Sequence, residues 1–236
     1  MRHTTASARF FSALALTAAL LGCSSTRNHR ADGFSAATGL GRGEKVLLVE
    51  PNIELTELLA SGVEEARADW TLAARAHVSQ AVAAALAQRE AKVGTYKEAT
   101  EAALLERQRQ LILLNRAVGT SILLNRYVGN GLPHKGNAFD WTLGPGARVL
   151  DADARYALFV FLHDSYATSG RKALAAGLML VGVGVSLGQQ LGFASLVDLS
   201  DGRVVWFNLL SAQIGDLRNA PDAAAAVNQL LDGLPL

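Results

Sequence analysis

The sequence has a single cysteine, Cys23, among 236 residues, and this scarcity excludes several kinds of protein. One thiol cannot form a disulfide within the chain, and it cannot build the cysteine-rich zinc site of a metal-binding module. Basic residues are not in excess either, since 22 lysines and arginines stand against 21 acidic residues. Nucleic-acid-binding proteins usually have an excess of basic residues, so we expect no nucleic-acid partner.

Residues 1–22 have the layout of a secretory signal peptide. Arg2 and Arg9 give the start a positive charge, and residues 10–21 are uncharged. This apolar stretch is too short for a membrane span, which needs about 20 residues. It ends in Leu-Leu-Gly-Cys, which resembles the lipobox, and the resemblance implies that Cys23 becomes the lipidated first residue of the mature protein. The alternative is an ordinary secretory signal beside a cysteine without a role.

Lipidation at Cys23 would determine where the protein resides. Two or more acyl chains hold a protein stably on a membrane, whereas one chain holds it marginally. Ser24 follows the cysteine in place of an aspartate, which by the enterobacterial sorting pattern predicts delivery to the outer membrane, with the domain facing the periplasm. Residues 23–43 are mostly small and polar, and we predict that they form the lipidated cysteine and a flexible linker.

Residues 44–236 are predicted to form one α/β domain, because half of the whole sequence is hydrophobic and about two hundred residues can bury a core. The patterns predict a mixed sheet of four to six strands, a helix after the first strands, a long helix and a short C-terminal helix. The predicted strands cover 45–50, 54–59, 92–96 and 156–162, and a further hairpin turns at Asp201 and Gly202. The first predicted helix has Asp69 as its N-cap, and the long helix spans 98–127. The short C-terminal helix begins at Pro221.

Two details of this pattern make further predictions. The segment 112–119 recurs in similar form as 122–129, and the ten-residue offset turns the two copies toward different directions on a helix. Such a repeat indicates either a chance duplication in a buried helix or a partner-binding face. On the return strand of the hairpin, Val205, Phe207 and Leu209 alternate, which predicts one apolar face.

No group of residues predicts catalysis. His163, Asp164 and Ser165 are consecutive, but triad members meet through the fold, and neighbouring strand residues point to opposite faces. We interpret them as polar residues that end a strand at the surface. His77 and His134 are isolated from other metal-ligating residues in the sequence. We therefore predict no catalytic residue, no metal, no cofactor and no enzymatic activity.

The uncharged, glycine-rich segment 173–192 allows three interpretations. As a helix, its small residues would permit close packing inside the domain or in an oligomer. As strands, its alternation of large and small residues would suit an element that inserts in the membrane or lines a pore. As a single membrane-spanning helix it is long enough, although its glycines, Gln189 and Gln190 weaken that interpretation.

The order of elements behind the lipobox resembles the envelope lipoproteins related to the curli secretion protein CsgG, with an α/β domain comparable to the N-terminal domain of TolB. The resemblance depends on Cys23, the strands at 46–50 and 156–162, and the segment 196–206. It implies a non-catalytic protein that binds or assembles envelope partners, or alternatively a subunit of an oligomeric outer-membrane export channel. It supplies no catalytic residues. The expected partners are the membrane, unidentified envelope proteins and a second copy of the chain.

Overall fold

A mixed β-sheet forms the centre of the computed structural model, which describes residues 24–31, 44–129, 131–136, 138–212 and 215–236. Helices cover both faces of the sheet, so the α/β class predicted from the sequence is confirmed. The eight described strands are β1 (Ser24–Arg30), β2 (Lys45–Leu48), β3 (Asn52–Leu58), β4 (Glu64–Ala66), β5 (Lys92–Thr95), β6 (Tyr156–Ala167), β7 (Gln190–Asp198) and β8 (Val204–Ala212).

The strands are ordered β1-β8-β7-β6-β2-β5 across the sheet. Strands β6, β7, β8 and β1 pair antiparallel, whereas β2 is parallel to both β6 and β5. The remaining length of β6 pairs in parallel with β3, and β4 pairs antiparallel with β3. The sheet therefore has more strands than the four to six that we predicted.

Strands β2 and β3 follow each other along the same edge of β6, separated by a break at Pro51. Val46 is opposite Tyr156 in the register, and Asn52 is opposite Phe161. Proline has no N–H to donate to a strand ladder, so it ends one pairing segment and allows the next to begin. The first two predicted strands are confirmed, with slightly different ends.

Strand β6 is covered on both faces, as its continuous apolar sequence predicts. Leu158 and Leu162 point toward one core, and Ala157 and Phe159 point toward the other. Helices α1 (Ala68–Ala87) and α4 (Ala220–Leu230) pack on the first face, and α2 (Ala102–Ile122) packs on the second. Helix α3 (Ser169–Met179) follows directly after β6.

Helices α1, α2 and α4 each bury a stripe at helical spacing. In α1 the buried residues include Ala74, Val78 and Val82, and the helix begins one residue before Asp69, which lies in the first turn instead of at the predicted N-cap. In α4 the side chain of Asn219 accepts a hydrogen bond from the backbone N–H of Asp222, and this cap starts the helix just before Pro221.

The two copies of the repeat lie in different environments, as the offset predicts. The first copy belongs to α2, where Asn115 is buried and its Nδ2 donates to Ser195 Oγ at 3.0 Å. The second copy leaves the α-helix after Ile122 and forms a π-helical turn, Leu123–Val128, in which Asn125 Nδ2 donates to the carbonyl of Ser121. The predicted long helix is thus shorter than 98–127 and ends in this turn.

The predicted hairpin joins β7 to β8. Gly202 adopts φ +78°, and a Cβ there would lie 2.0 Å from the carbonyl oxygen of Gly144, so both conformation and space require glycine. The predicted single apolar face of β8 is wrong in one respect. A register shift between Leu196 and Val197 places Val205 in the core beside α1 and α4, whereas Phe207 packs in the opposite core.

Candidate functional site: the apolar end of the sheet

Strand β1 begins at the residue that follows the predicted lipidation site. Cys23 lies outside the described residues, but it is bonded to Ser24, and Ser24 pairs with Ala212 at the end of β8. The flexible linker predicted over 23–43 is therefore wrong for residues 24–30, which form the edge strand of the sheet. Their polar side chains gave no strand pattern, because an edge strand need not alternate apolar and polar residues.

Contacts from several parts of the chain hold β1 in place. The guanidinium of Arg30 donates to the carbonyl of Gly233 at 2.8 Å, and the hydroxyl of Tyr127 donates to the carbonyl of Arg27 at 2.8 Å. Burial raises the pKa of Tyr127 above its usual range, so this hydroxyl stays a donor at neutral pH. The segment that follows Cys23 is thus held against the domain from Ser24 onward.

One row of strand residues marks the end of the sheet where β1 starts. In the register, Ser24 is opposite Ala212, Ala212 is opposite Gln190, and Gln190 is opposite Asp164. Beyond this row, β6 continues to Ala167, and the chain returns beside it, since the N–H of Ala167 donates to the carbonyl of Leu187. Helix α3 and residues 180–188 form this excursion between β6 and β7.

Large apolar side chains are exposed around this end, which we call the apolar end. It comprises residues from three separate segments: Val63 in the β3–β4 turn, Leu124 and Val128 in the π-helical turn, and Leu174, Met179, Leu180, Val181, Val183 and Leu187 in and after α3. These are nine of the thirteen large apolar side chains exposed in the described part of the chain. Such a concentration differs from the scattered exposed leucines of an ordinary protein surface.

The structure corrects the helical interpretation of residues 173–192. Helix α3 ends at Met179, and residues 180–189 form a turn followed by irregular chain before β7. Leu180 is 88% exposed and Val181 is 73% exposed, so this part does not pack inside the domain. In the described ranges, no helix combines the length and the hydropathy that crossing a membrane requires.

A groove adjoins the apolar end beside β1. Its volume is about 440 Å³, and it lies between β1, the π-helical turn and the strands β7 and β8. Leu124, Val128 and Leu191 form its apolar wall, and Ser25 and Arg27 form its polar margin. The groove thus connects the exposed apolar residues of the π-helical turn with strand β1.

Asp164 is buried beneath the apolar end. Its carboxylate accepts hydrogen bonds from the hydroxyl of Tyr166 and, at 3.0 Å, from Nε2 of Gln190. Burial is the main cause that raises the pKa of Asp164 to about 6, and the nearby Asp216 carboxylate adds to the rise. A carboxyl group of this kind binds a proton in mildly acidic conditions.

An aromatic and arginine stack adjoins this carboxyl. The guanidinium of Arg218 lies 4.0 Å from the ring centre of Tyr166 and 4.6 Å from that of Trp70, and Arg67 covers Trp70 at 4.1 Å. Arg218 also forms a salt bridge with Asp216 at 2.7 Å. Every cation in this stack already has partners, so the arrangement joins α1 to the sheet.

The histidines and their neighbours do not assemble a triad. Asp164 points to the opposite face of β6 from His163, whose Nε2 lies 3.2 Å from a carboxylate oxygen of Glu64. Ser165 Oγ accepts a hydrogen bond from the N–H of Gln189 at 3.0 Å. The interpretation that these residues end a strand is wrong, since β6 continues to Ala167, and Asp164 and Ser165 are buried.

The other two histidines remain separate. His77 Nδ1 donates to the carbonyl of Leu217 at 3.2 Å, and His134 lies in a turn. Across the residues that the structure describes, histidine, cysteine, aspartate and glutamate form no group of three suited to a metal ion.

The sequence matches no protein-family model and no curated protein. Among solved structures, it is similar to a PelC dodecamer from Paraburkholderia phytofirmans, with 16% identity, a TM-score of 0.40, and coverage of 89% of this chain and 95% of that one. A variant PelC dodecamer from the same organism gives 16% identity, a TM-score of 0.39, and coverage of 91% and 98%. Similarity at this level assigns neither a family nor a function.

Proposed function

We propose that the protein is a lipid-anchored lipoprotein of the bacterial cell envelope that binds or assembles envelope partners and carries out no chemistry of its own. The observation that carries the proposal is the start of β1 one residue after Cys23. A lipid on Cys23 would be attached to the central sheet without a spacer, and the anchor would hold the domain against the outer membrane on its periplasmic side.

The residue chemistry supports a binding role over a catalytic one. The buried carboxyl of Asp164 is enclosed by Tyr166 and Gln190, and Ser165 and Asn115 bond to protein groups. Catalysis needs a nucleophile or base facing a substrate cavity. These polar groups instead join strands and helices to each other, as expected for a scaffold.

Metabolic labelling with palmitate tests the anchor. We expect the full chain to incorporate label and to float with the outer-membrane fraction, whereas Cys23→Ala loses both the label and the processing by the lipoprotein signal peptidase. Ser25→Ala, two residues further on, is the matched control and keeps both. Label retained by Cys23→Ala would refute the lipoprotein assignment. Crosslinking in intact cells, followed by mass spectrometry, identifies the partners.

The second candidate is a subunit of an oligomeric outer-membrane export channel. Leu113 and Leu114 favour it, because two adjacent leucines are exposed on α2 away from the apolar end, with side chains 63% and 43% accessible. Paired apolar residues of this kind suit contact with another copy of the chain. Size-exclusion chromatography with light scattering on a detergent extract separates the candidates, since a monomer contradicts the channel.

A further inference from the structure

We propose that the apolar end docks on the bilayer surface that receives the Cys23 lipid, and that its exposed side chains enter the membrane interface. The proposal deepens the proposed function and rests on it, because the lipid on Cys23 defines which membrane is present. The domain then has two attachments to one surface, the covalent lipid and this apolar end.

The first argument is the position of the chain's start. Ser24, Ala212, Gln190 and Asp164 form one row across four neighbouring strands. Adjacent strands are about 4.8 Å apart, so the start of β1 lies about 14 Å from β6, from which the apolar excursion projects. A membrane that holds the lipid of Cys23 must pass close to Ser24, and it therefore also passes close to the apolar end.

The second argument is the convergence of apolar residues that are far apart in the sequence. Val63, Val128 and Leu180 belong to three different segments, yet all three are exposed at the same end of the sheet. Val93 shows the contrast, since it pairs with Val46 near the start of β6, at the opposite end. Only one end of the described domain carries an extended apolar surface.

The third argument is charge. Residues 165–197 contain Arg171 and Lys172 and no acidic residue. Cations beside apolar side chains favour the surface of a bilayer that contains anionic lipids. The nearest acidic groups on the neighbouring strand β4 are Glu64 and Glu65, and Glu64 is already bonded to Thr56 and His163. The α3 excursion itself, residues 168–189, therefore carries positive charge and no negative charge.

The backbone limits how deep this end enters. Residues 183–189 have no regular secondary structure, and Gly182 and Gly188 adopt positive φ. Unpaired backbone groups are costly in the hydrocarbon core but remain hydrated at the interface. We therefore expect shallow insertion, of about 5–10 Å, in the manner of interfacial segments.

Tryptophan fluorescence in proteoliposomes tests the docking. The full-length lipidated protein is prepared with Leu180→Trp, Val128→Trp or the matched control Val93→Trp, each of which replaces an exposed apolar residue. The liposomes contain either ordinary phospholipid or phospholipid brominated near the headgroup end of its acyl chains. After subtraction of the wild-type signal, we expect at least about a twofold loss of emission for Leu180→Trp and Val128→Trp, and little loss for Val93→Trp, because bromine quenches at the shallow depth of interfacial insertion.

The outcomes separate the two proposals. If the wild-type protein floats with liposomes and none of the three tryptophans is quenched, the anchor stands and the docking is overturned. If Leu180→Trp alone is quenched, residues 180–187 touch lipid by themselves, and docking of the whole apolar end is overturned. If quenching is equal at both ends of the sheet, the domain has no preferred orientation and the proposal fails. Failure of the wild-type protein to float refutes the proposed function itself.

Discussion

Asp164 provides a direct test of the buried network beneath the apolar end. We expect Asp164→Asn to remove a pH dependence of stability without removing the hydrogen-bond acceptor, since an amide oxygen can still accept from the hydroxyl of Tyr166. The titrating or charged groups that face the carboxyl are Tyr166, Asp216 and Arg218, and Gln190 is its neutral neighbour. All four are retained in the variant, so their contributions cancel when the two proteins are compared.

The magnitude follows from the pKa of Asp164. In the folded protein this pKa is raised from 3.8 to about 6. Between these values the unfolded chain releases the proton while the folded chain keeps it, so the free energy of unfolding falls as pH rises. Each tenfold difference in proton affinity corresponds to about 1.36 kcal/mol, and the total loss between about pH 3 and pH 7 is therefore about 3 kcal/mol.

Urea unfolding followed by circular dichroism measures the effect at steps between about pH 3 and pH 7. Plotted against pH, the free energy of unfolding of the wild-type protein should fall by about 3 kcal/mol relative to that of Asp164→Asn, with the change completed just above pH 6. Parallel curves for the two proteins would refute the reasoning, because they would mean that Asp164 has the same proton affinity in the folded and unfolded states.

Two further substitutions test the packing on opposite faces of the sheet. In Gly119→Ala a new Cβ would lie 2.2 Å from Cε2 of Phe193, and we expect a loss of about 1–3 kcal/mol in the free energy of unfolding. Gly177→Ala is the helical control, because its new Cβ would meet no atom within 4 Å, and it should not destabilise the protein. Asn208→Ala removes the Nδ2 donor to the last carbonyls of α4, at 2.9 Å from Leu230, and should cost about 1–3 kcal/mol. An unchanged urea midpoint in either core variant would contradict the packing described here.

Local patterns predicted the elements whose residues carry their own signals. The continuous apolar sequence after Tyr156 predicts a strand covered on both faces, and Asp201 with Gly202 predicts the turn of the hairpin; both are confirmed. Such features depend on periodicity and on backbone conformations that glycine favours. They can be read from a few consecutive residues.

Features created by distant partners could not be predicted in this way. Residues 24–30 are polar, and they form a strand because β8 offers an open edge about 180 residues further along the chain. The buried carboxyl of Asp164 depends on Tyr166 and Gln190, and nothing local shows that Gln190 would lie opposite it. The absence of charge in residues 173–192 did indicate an unusual segment, but Val63 and Val128 join it only through the fold.

The pairing of β1 with β8 constrains the order in which the sheet can be completed. Strand β1 is the first described part of the chain to be synthesised, and its partner is the last strand. Because closing so long a loop is entropically slow, β1 should join after the rest of the sheet has formed. Until then the outer edge of β8 offers unpaired backbone groups to other chains. Under the proposed function, residues 1–22 would hold this first strand beside the membrane while the remaining strands assemble, so attachment and the final folding step would take place at the same point.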